Sequence, residues 1–451
     1  MNTKDITLAY KTYIFYLKKS KQSFSGVRME SSTFNLKDLK IISPFLGEKK
    51  YEKLSYPIKV GLYTLIENRD ARLFFDLNGE IKFIHGKVPH WIHPNEFIKR
   101  TKTNDYIYYS SGEYYGGIYD ATGEYYVPCF QYPSNNLWQK DIKGIVEFGK
   151  TLWKDIVEKL KELSIKDIPK EIREEIDKIV SIDDKYLKKR AMFLKKIYNA
   201  NITVLPPDTR HVDYEVIPII ISDGCLYHCK FCRVKSRDAF SERSKRDILE
   251  QIKNLKKFYH NDIKNYSNLF LGLHDAFNCS FETIKFSIEK AMEIFQIENS
   301  YVKDKNIFLF ASVDSFLNQK LDVFEYLNKI PDTKVFINIG LESVHQETLR
   351  KIGKPIHSTQ VRESFEKMLY VNKKYINIEI TANFLLDLSF SKKHYDLMIS
   401  LIRDIVKRPF YKGTIYLSPL RTENKRDILN KVMELKRYSF LPMYLYIIQR
   451  F

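Results

Sequence analysis

The chain has 451 residues, which is too long for one small core and favours either two domains or one barrel with an appendage. Its hydrophobic content of 44% is ordinary for a globular protein, and without an apolar run of roughly 18 residues or a cleavable leader we expect neither a membrane span nor a secretory signal. Five cysteines make a poor disulfide framework, so we expect a reducing, cytoplasmic location.

The formal net charge is +18, from 74 Lys and Arg against 56 Asp and Glu. Such an excess favours a nucleic acid or another polyanion as partner. The alternative is a compositional bias, because lysine, isoleucine, asparagine and tyrosine are abundant together, as an AT-rich genome dictates, and the positive charge is spread along the chain. An RNA substrate and a small-molecule substrate both remain hypotheses.

Residues 1–140 are predicted to form an N-terminal α+β accessory domain. The first 55 residues are weakly patterned, whereas residues 56–130 contain short strand patterns and turns. Asn78-Gly79 is a two-residue hairpin signal, and GEYY occurs at residues 112 and 123. A small antiparallel sheet is therefore expected. Its tyrosines either stack on a flat ligand or fill a half-buried pleated surface.

Residues 141–204 have a helical period and are predicted to be a helical connector. Apolar residues recur every three or four positions from Ile145 to Leu163, and Pro169 opens a second, charged helical stretch. Pro206-Pro207 then indicates an extended entry into the next unit, which places a boundary near residue 200.

Residues 205–420 alternate apolar strand patterns with amphipathic helical ones. The predicted strands are EVIPIIIS (215–222), NLFLGLHDAF (268–277), NIFLFASVDSF (306–316), KVFINIGLES (334–343), NIEITANFLLDL (377–388) and GTIYLSPL (413–420). This alternation predicts an α/β fold with a parallel sheet covered by helices, in the form of a partial TIM-like barrel of six βα units. Residues 421–451 are predicted to be a C-terminal tail or helix.

Polar residues follow the predicted strands at the end where active sites gather in such barrels. They are Cys225 after the first strand, His274 and Asp275 after the second, Ser312 and Asp314 after the third, Glu342 and Ser343 after the fourth, and Asn383 and Asp387 along the fifth.

Three of the five cysteines, Cys225, Cys229 and Cys232, lie within eight residues of each other in DGCLYHCKFC. A disulfide uses two cysteines and a structural zinc site usually takes four protein ligands, so three thiols in one loop predict a metal centre with an open coordination position. The alternative is a zinc site with His228 or His211 as the fourth ligand, in a binding protein that has no catalytic activity.

The spacing Cys-x3-Cys-x2-Cys, with Phe231 before the last cysteine, resembles the signature of radical S-adenosylmethionine (radical SAM) enzymes. The resemblance implies that the three cysteines ligate a [4Fe–4S] cluster whose fourth iron binds S-adenosylmethionine (SAM). One electron then cleaves SAM to methionine and a 5′-deoxyadenosyl radical. It also implies a reductant such as ferredoxin or flavodoxin.

Two further stretches resemble the same family. FLGLHDAF lies where relatives carry a glycine-rich motif ending in an acid, so Gly272 and Asp275 are implied to hold the methionine end of SAM. FINIGLESVHQETLRKIGKP (336–355) is similar to the Elongator-like and coproporphyrinogen-dehydrogenase-like branch. By position, the residues implied to hold the ribose, carboxylate or adenine are Ser312, Asp314, Glu342 and Asn383.

Each of these residues also has a purely structural interpretation. His274 is either a hydrogen-bonded strand-end residue or a proton-transfer group. Asp275, and Glu342 with Ser343, can be helix caps. The lone cysteines Cys129 and Cys279 are expected to be small buried hydrophobes. The cations Lys235 and Arg237 either steer anions or face solvent.

Overall fold

The computed structural model describes residues 18–24, 27–36, 38–51, 59–87, 89, 91, 96–109, 121–124, 143–163, 168–200, 204–232, 238–406, 412–421 and 423–448. The first GEYY copy, the two tyrosines of the second copy, Cys129, Lys235 and Arg237 lie outside these residues.

The N-terminal region is an antiparallel sheet in which each strand pairs with the next along the chain. Gly79, at φ +84°, forms the predicted hairpin between the fifth and sixth strands. Residues 18–46, which showed little pattern in the sequence, form the first three strands. The strands are β1 (Lys18–Phe24), β2 (Val27–Leu36), β3 (Leu39–Leu46), β4 (Leu62–Glu67), β5 (Ala71–Phe75), β6 (Ile81–Gly86), β7 (Phe97–Arg100) and β8 (Tyr106–Tyr109).

Two helices of the region predicted to be a helical connector form a layer of the N-terminal domain. The helices are α1 (Lys143–Lys161), α2 (Lys170–Val180) and α3 (Asp184–Tyr198). Ile156 of α1 and Ile176 of α2 share one buried cluster with sheet residues such as Ile66. The apolar stripe of each helix is buried against the sheet because it would otherwise face water. Only α3 reaches the second core, through Leu194 and Tyr198.

The second half of the chain is an α/β unit built on a parallel sheet, as predicted. The sheet order is β10 (Ile217–Ile220), β13 (Leu269–Gly272), β14 (Lys305–Ala311), β15 (Thr333–Glu342), β16 (Ile378–Leu386), β17 (Ile415–Pro419), β18 (Met443–Ile448) and β9 (Ala121–Glu124). The first six are the six predicted strands. A two-stranded ribbon of β11 (Ser222–Asp223) and β12 (Ser241–Glu242) follows β10.

The region after residue 420, predicted to be a tail or helix, contains a helix among its described residues. The helix is followed by β18, which pairs parallel with β17 and with β9. The pattern LPMYLYII is short and apolar, so it extends the sheet as a buried strand. The helices of this half are α4 (Lys245–Tyr259), α5 (Phe281–Phe295), α6 (Val313–Asn318), α7 (Leu321–Asn328), α8 (Gln346–Lys351), α9 (Ser358–Lys374), α10 (Lys392–Ser400) and α11 (Lys425–Tyr438).

The N-terminal sheet covers the concave face of the parallel sheet. Phe270, Phe308 and Phe336 are in register on adjacent strands and share a buried cluster with Phe74 and Phe83 of the N-terminal sheet. The neighbouring strand residues pack instead against the outer helices. Aromatic rings therefore close one end of the barrel. None of the described helices has the length and apolar character needed to cross a membrane.

A buried ionic cluster joins the two halves. Lys102 is 8% exposed and contacts the carboxylates of Asp76, Glu80 and Asp262, the last at 2.9 Å. Asn265 both donates to and accepts from the backbone of Leu62 in β4. These groups fix the N-terminal sheet on the barrel, because each buried charge depends on its partner across the interface.

Replacing Lys102 by Met is expected to lower the free energy of unfolding by about 3–5 kcal/mol, because three carboxylates lose a shared buried cation. Chemical denaturation of the purified protein measures the loss. The matched control is Lys154→Met, whose partner Asp184 is partly exposed and whose loss is expected to cost under about 1 kcal/mol. Equal effects of the two substitutions would contradict the role of the cluster.

Candidate functional site

The cysteine loop leaves the sheet at the carboxyl end of β10. Gly224 opens the loop at φ +77°, and a Cβ atom there would lie 2.0 Å from the backbone oxygen of Ala239, so only glycine fits. Cys225 N–H donates to the Asp238 carbonyl, and Lys230 N–H donates to the Ile352 carbonyl at 2.9 Å. The loop is therefore anchored at both ends.

None of the three loop cysteines forms a disulfide. Cys229 is buried, whereas Cys225 and Cys232 are partly exposed. Burial raises the pKa of the Cys229 thiol to about 11, and the nearby Lys354 ammonium opposes that shift. Cys279 is a separate buried thiol whose Sγ lies 3.8 Å from the Ile221 carbonyl.

Among the described residues, no three His, Cys, Asp or Glu side chains are grouped as they would be around one metal ion. The three cysteines as a ligand set therefore stay a prediction from the sequence. The donor chemistry does fit an iron–sulfur cluster, because one anchored loop carries three cysteines that are not disulfide-bonded.

Asp275 follows β13 and is 3% exposed. Its Oδ1 accepts hydrogen bonds from Ser312 N–H at 2.9 Å and from Ser315 Oγ at 2.6 Å. Its Oδ2 is buried without a hydrogen-bond partner. Burial raises the pKa of the carboxyl, opposed by these donors. Asp275 makes no cap bond to the following turn, so it has one oxygen left to accept a donor.

The Ser312 hydroxyl is engaged in helix capping. It accepts from Ser315 N–H at the start of α6, and the two hydroxyls lie 3.0 Å apart. Asp314 directs its carboxylate to the Gln360 amide at 2.9 Å. Both residues stand at the strand end where the sequence placed them, and both side chains already have protein partners.

Glu342 stands at a bulge at the end of β15, with φ +63° and 7% exposure. Asn383 Nδ2 donates to one carboxylate oxygen at 3.4 Å, and Lys354 Nζ lies 3.4 Å from the other. A Cβ atom on Gly340 would lie 2.6 Å from the carboxylate. Burial raises the pKa of Glu342, and Lys354 opposes the shift.

The Ser343 side chain does not cap α8. Its hydroxyl accepts from His345 N–H at 3.0 Å and bonds His394 Nδ1 at 2.9 Å. His394 is fully buried. These bonds hold the backbone just after the bulge, so they fix the direction of the Glu342 side chain. Sequence reasoning missed His394 because it lies 51 residues from its partner.

Lys354 is a second residue that sequence reasoning missed, although it lies inside the quoted IGKP stretch. Its ammonium is buried, donates to the Gly340 carbonyl at 2.5 Å and lies 5.1 Å from the centre of the Tyr227 ring in the cysteine loop. Tyr227 in turn accepts from Asp314 N–H at 2.9 Å. Lys354 is therefore the buried cation between the cysteine loop and Glu342.

The remaining predicted residues are Gly272, Phe231 and His274. Gly272 ends β13 opposite Ile220, and Phe231 packs half-buried against the barrel core. His274 is half-buried, and burial lowers its pKa to about 4. The His274 imidazole is consequently neutral at pH 7 and can accept or donate one hydrogen bond without a charge.

The pKa of His274 is expected to stay near 4 in the folded protein. The unfolded chain binds this proton near pH 6.5, so stability is complete above that pH and falls as the pH drops toward 4. NMR titration of ¹⁵N-labelled imidazoles, with His274→Gln to assign the signal, measures the midpoint. A midpoint at or above 6.5 would contradict the desolvated environment.

A family model described as "Radical SAM superfamily" matches residues 219–382. No curated protein sequence matches this chain. Solved structures that resemble the chain include the FeFe-hydrogenase maturase HydG from Carboxydothermus hydrogenoformans, at 13% identity, 67% of each chain and TM-score 0.34. Methylornithine synthase (PylB) is 12% identical, over 65% of this chain and 85% of that chain, with TM-score 0.32.

The radical SAM methyltransferase TsrM from Kitasatospora setae is 12% identical over 46% of this chain, with TM-score 0.31, and the match spans 38% of TsrM. These likenesses are too distant to bear on function. The family match covers the cysteine loop, Asp275, Glu342 and Lys354. Residues 219–382 are therefore a radical SAM domain.

Proposed function

We propose that the protein is a radical SAM enzyme and that it holds one [4Fe–4S] cluster on Cys225, Cys229 and Cys232. When bound, the cluster would supply one electron to SAM, which yields methionine and a 5′-deoxyadenosyl radical that takes a hydrogen atom from the substrate. The observation that carries the proposal is the set of three cysteines, none in a disulfide, on one anchored loop inside the matched domain, which also contains the buried acceptor of Asp275.

Three residues of this site are proposed to bind SAM through charge. Asp275 offers its unpartnered Oδ2 to the amino group, because a buried acceptor gains most from a charged donor. Lys354 offers its ammonium to the carboxylate, since it is a buried cation between the cysteine loop and Glu342. Glu342, held between Lys354 and Asn383, is placed to accept from ribose hydroxyls.

The remaining predicted residues are proposed to shape the site. Gly272 keeps the end of β13 free of a side chain, since a Cβ atom there would already lie 3.0 Å from the Phe270 ring. Phe231 supports the cysteine loop from the core side. Ser312 fixes the start of α6 and positions Asp275 through its N–H. Asp314 N–H bonds the Tyr227 hydroxyl, and this contact steadies the loop.

Water exclusion is the second task that the chain performs. Phe270, Phe308 and Phe336 form an aromatic floor that packs against the N-terminal sheet, so one end of the barrel is closed to solvent. A closed, apolar interior protects a reactive carbon radical from side reactions. An external one-electron donor such as ferredoxin or flavodoxin, and a cytoplasmic location, complete the proposal.

Anaerobic reconstitution with iron and sulfide, followed by dithionite and SAM, is expected to release 5′-deoxyadenosine. Replacing any one of Cys225, Cys229 or Cys232 by Ala should abolish the product and lower the bound iron. Cys279→Ala is the control and should retain both, because Cys279 lies on another element. Stoichiometric zinc with no 5′-deoxyadenosine would instead support a protein that only binds metal.

Lys354→Met is expected to weaken SAM binding at least tenfold, or about 1.4 kcal/mol, while the iron content stays unchanged. Isothermal titration of SAM into reconstituted protein measures the affinity. The control is Lys351→Met, which removes an exposed lysine three residues away. Unchanged SAM affinity in Lys354→Met would remove this residue from the cofactor site.

A further inference from the structure

Helix α3 has a buried face and an unusual exposed one. Leu187, Leu194 and Tyr198 are fully buried, and Arg190 bonds Glu80 and the Phe258 carbonyl. The exposed residues of the helix are Lys185, Tyr186, Lys188, Lys189, Met192, Phe193, Lys195 and Lys196. Five lysines, two aromatic rings and a methionine thus share one solvent-facing surface, which we call the α3 face.

Four lysines of the α3 face differ from the lysines of α1, α2, α5 and α11 in having no acidic partner within the described residues. On α1, α2, α5 and α11 lysines pair with acids three residues away, as in Lys161 with Glu158 and Lys290 with Glu293. On α3, Asp184 bonds Lys154. The lysines that have no ion pair within the described part of the chain are Lys185, Lys188, Lys189 and Lys196.

Compositional bias alone adds lysines to every helix, and Lys373 on α9 and Lys392 on α10 also have no ion pair within the described residues. On α3, however, four such lysines lie on one exposed face, over about 17 Å of helix. Their combined positive field attracts an extended anion. The α3 face therefore fits a polyanion.

The apolar groups on the α3 face indicate which polyanion. Met192 is 70% exposed, Phe193 49% and Tyr186 42%, among the largest exposures of apolar side chains in the described residues. Phe193 is held on one side by Phe258, with ring centres 6.4 Å apart. Unpaired bases stack on such rings while lysines contact the phosphates between them, so a single-stranded nucleic acid matches both features.

A membrane surface matches less well. An interfacial helix inserts a continuous apolar face into the lipid. The apolar face of α3 already packs inside the protein through Leu187, Leu194 and Tyr198, and its exposed side carries more lysines than apolar groups.

The α3 face leads to the cysteine loop. Arg243 donates to the Tyr198 carbonyl at 2.9 Å and forms a two-bonded ion pair with Asp223, each bond 2.6 Å long. Asp223 lies two residues before Cys225. A groove of about 500 Å³ lies at this junction. It is lined by Phe193, Lys196 and Arg243 and also by the acids Asp223, Asp247 and Glu250.

We propose that the α3 face is a docking surface for single-stranded RNA. Binding of RNA to the α3 face requires only the residues of that face. That the bound RNA is also the molecule modified rests on the proposed function.

The test uses full-length protein and a fluorescein-labelled oligouridylate of about 12 nucleotides, measured by fluorescence anisotropy. The variant replaces Lys185, Lys189 and Lys196 together by Gln. Its matched control replaces Lys329, Lys334 and Lys373 by Gln, which removes the same charge from exposed positions elsewhere. We expect at least tenfold weaker binding for the α3 variant and less than twofold for the control.

Salt dependence and stacking give two further readouts. The slope of log K against log salt is expected to fall by about 2 in the α3 variant, since three phosphate contacts contribute about 0.7 each. Phe193→Ala is expected to weaken binding at least fivefold without changing this slope. Equal weakening by both lysine triples, no binding by the unmodified protein, or binding of an acidic ferredoxin or flavodoxin in place of RNA would overturn the proposal.

The binding assay contains neither SAM nor reductant, so it is independent of radical chemistry. Reconstituted α3 variant should still release 5′-deoxyadenosine from SAM. A protein that binds RNA through the α3 face but never cleaves SAM would keep the docking surface and overturn only the proposed function.

Discussion

The site depends on the parallel alignment of β10 and β13–β17. Parallel strands place their carboxyl ends at one edge of the sheet, so the cysteine loop, Asp275, Ser312, Glu342 and Asn383 reach the same rim from separate parts of the chain. Lys354 then joins these groups, because its buried ammonium contacts Gly340, Glu342 and the Tyr227 ring. The Lys354 ammonium thus connects β15, the fourth strand of the parallel sheet, to the cysteine loop.

The N-terminal half serves this arrangement by closing it from below. Its sheet has two differently packed faces: α1 and α2 cover one, and the aromatic floor of the barrel covers the other. The buried cluster around Lys102 fixes the relation between the halves, since its acids come from both. Helix α3 links the halves through Leu187 and Leu194, and four lysines on its exposed side have no ion pair within the described residues.

Much of this could be predicted from the sequence because the relevant signals are local. Six apolar strand patterns alternate with helices, and the three cysteines lie in one loop. The contacts of Glu342 could not be predicted in the same way. Its partner Asn383 lies 41 residues away, and Ser343 is held by His394 from another helix. Such pairs depend on strand register and helix packing, which no local period encodes.

The N-terminal half was harder to predict for a related reason. Helical periodicity in residues 145–163 shows that one face is buried, but not what buries it, so a layer on the sheet cannot be told from a connector. The strand at Met443–Ile448 pairs with β9 from the N-terminal half, and no local pattern encodes that pairing. Both cases concern which surfaces meet, whereas the kind of element was mostly recognised.

The central claim is that Cys225, Cys229 and Cys232 would hold a cluster to which SAM binds. Asp275 and Lys354 would hold SAM at this site. Pulsed electron–nuclear double resonance of the reduced, reconstituted protein with SAM labelled by ¹⁵N in its amino group and ¹⁷O in its carboxylate tests it most directly. The account predicts hyperfine coupling of the cluster to both labels. A reduced cluster whose spectrum shows no coupling to either label, although SAM is bound, would contradict it.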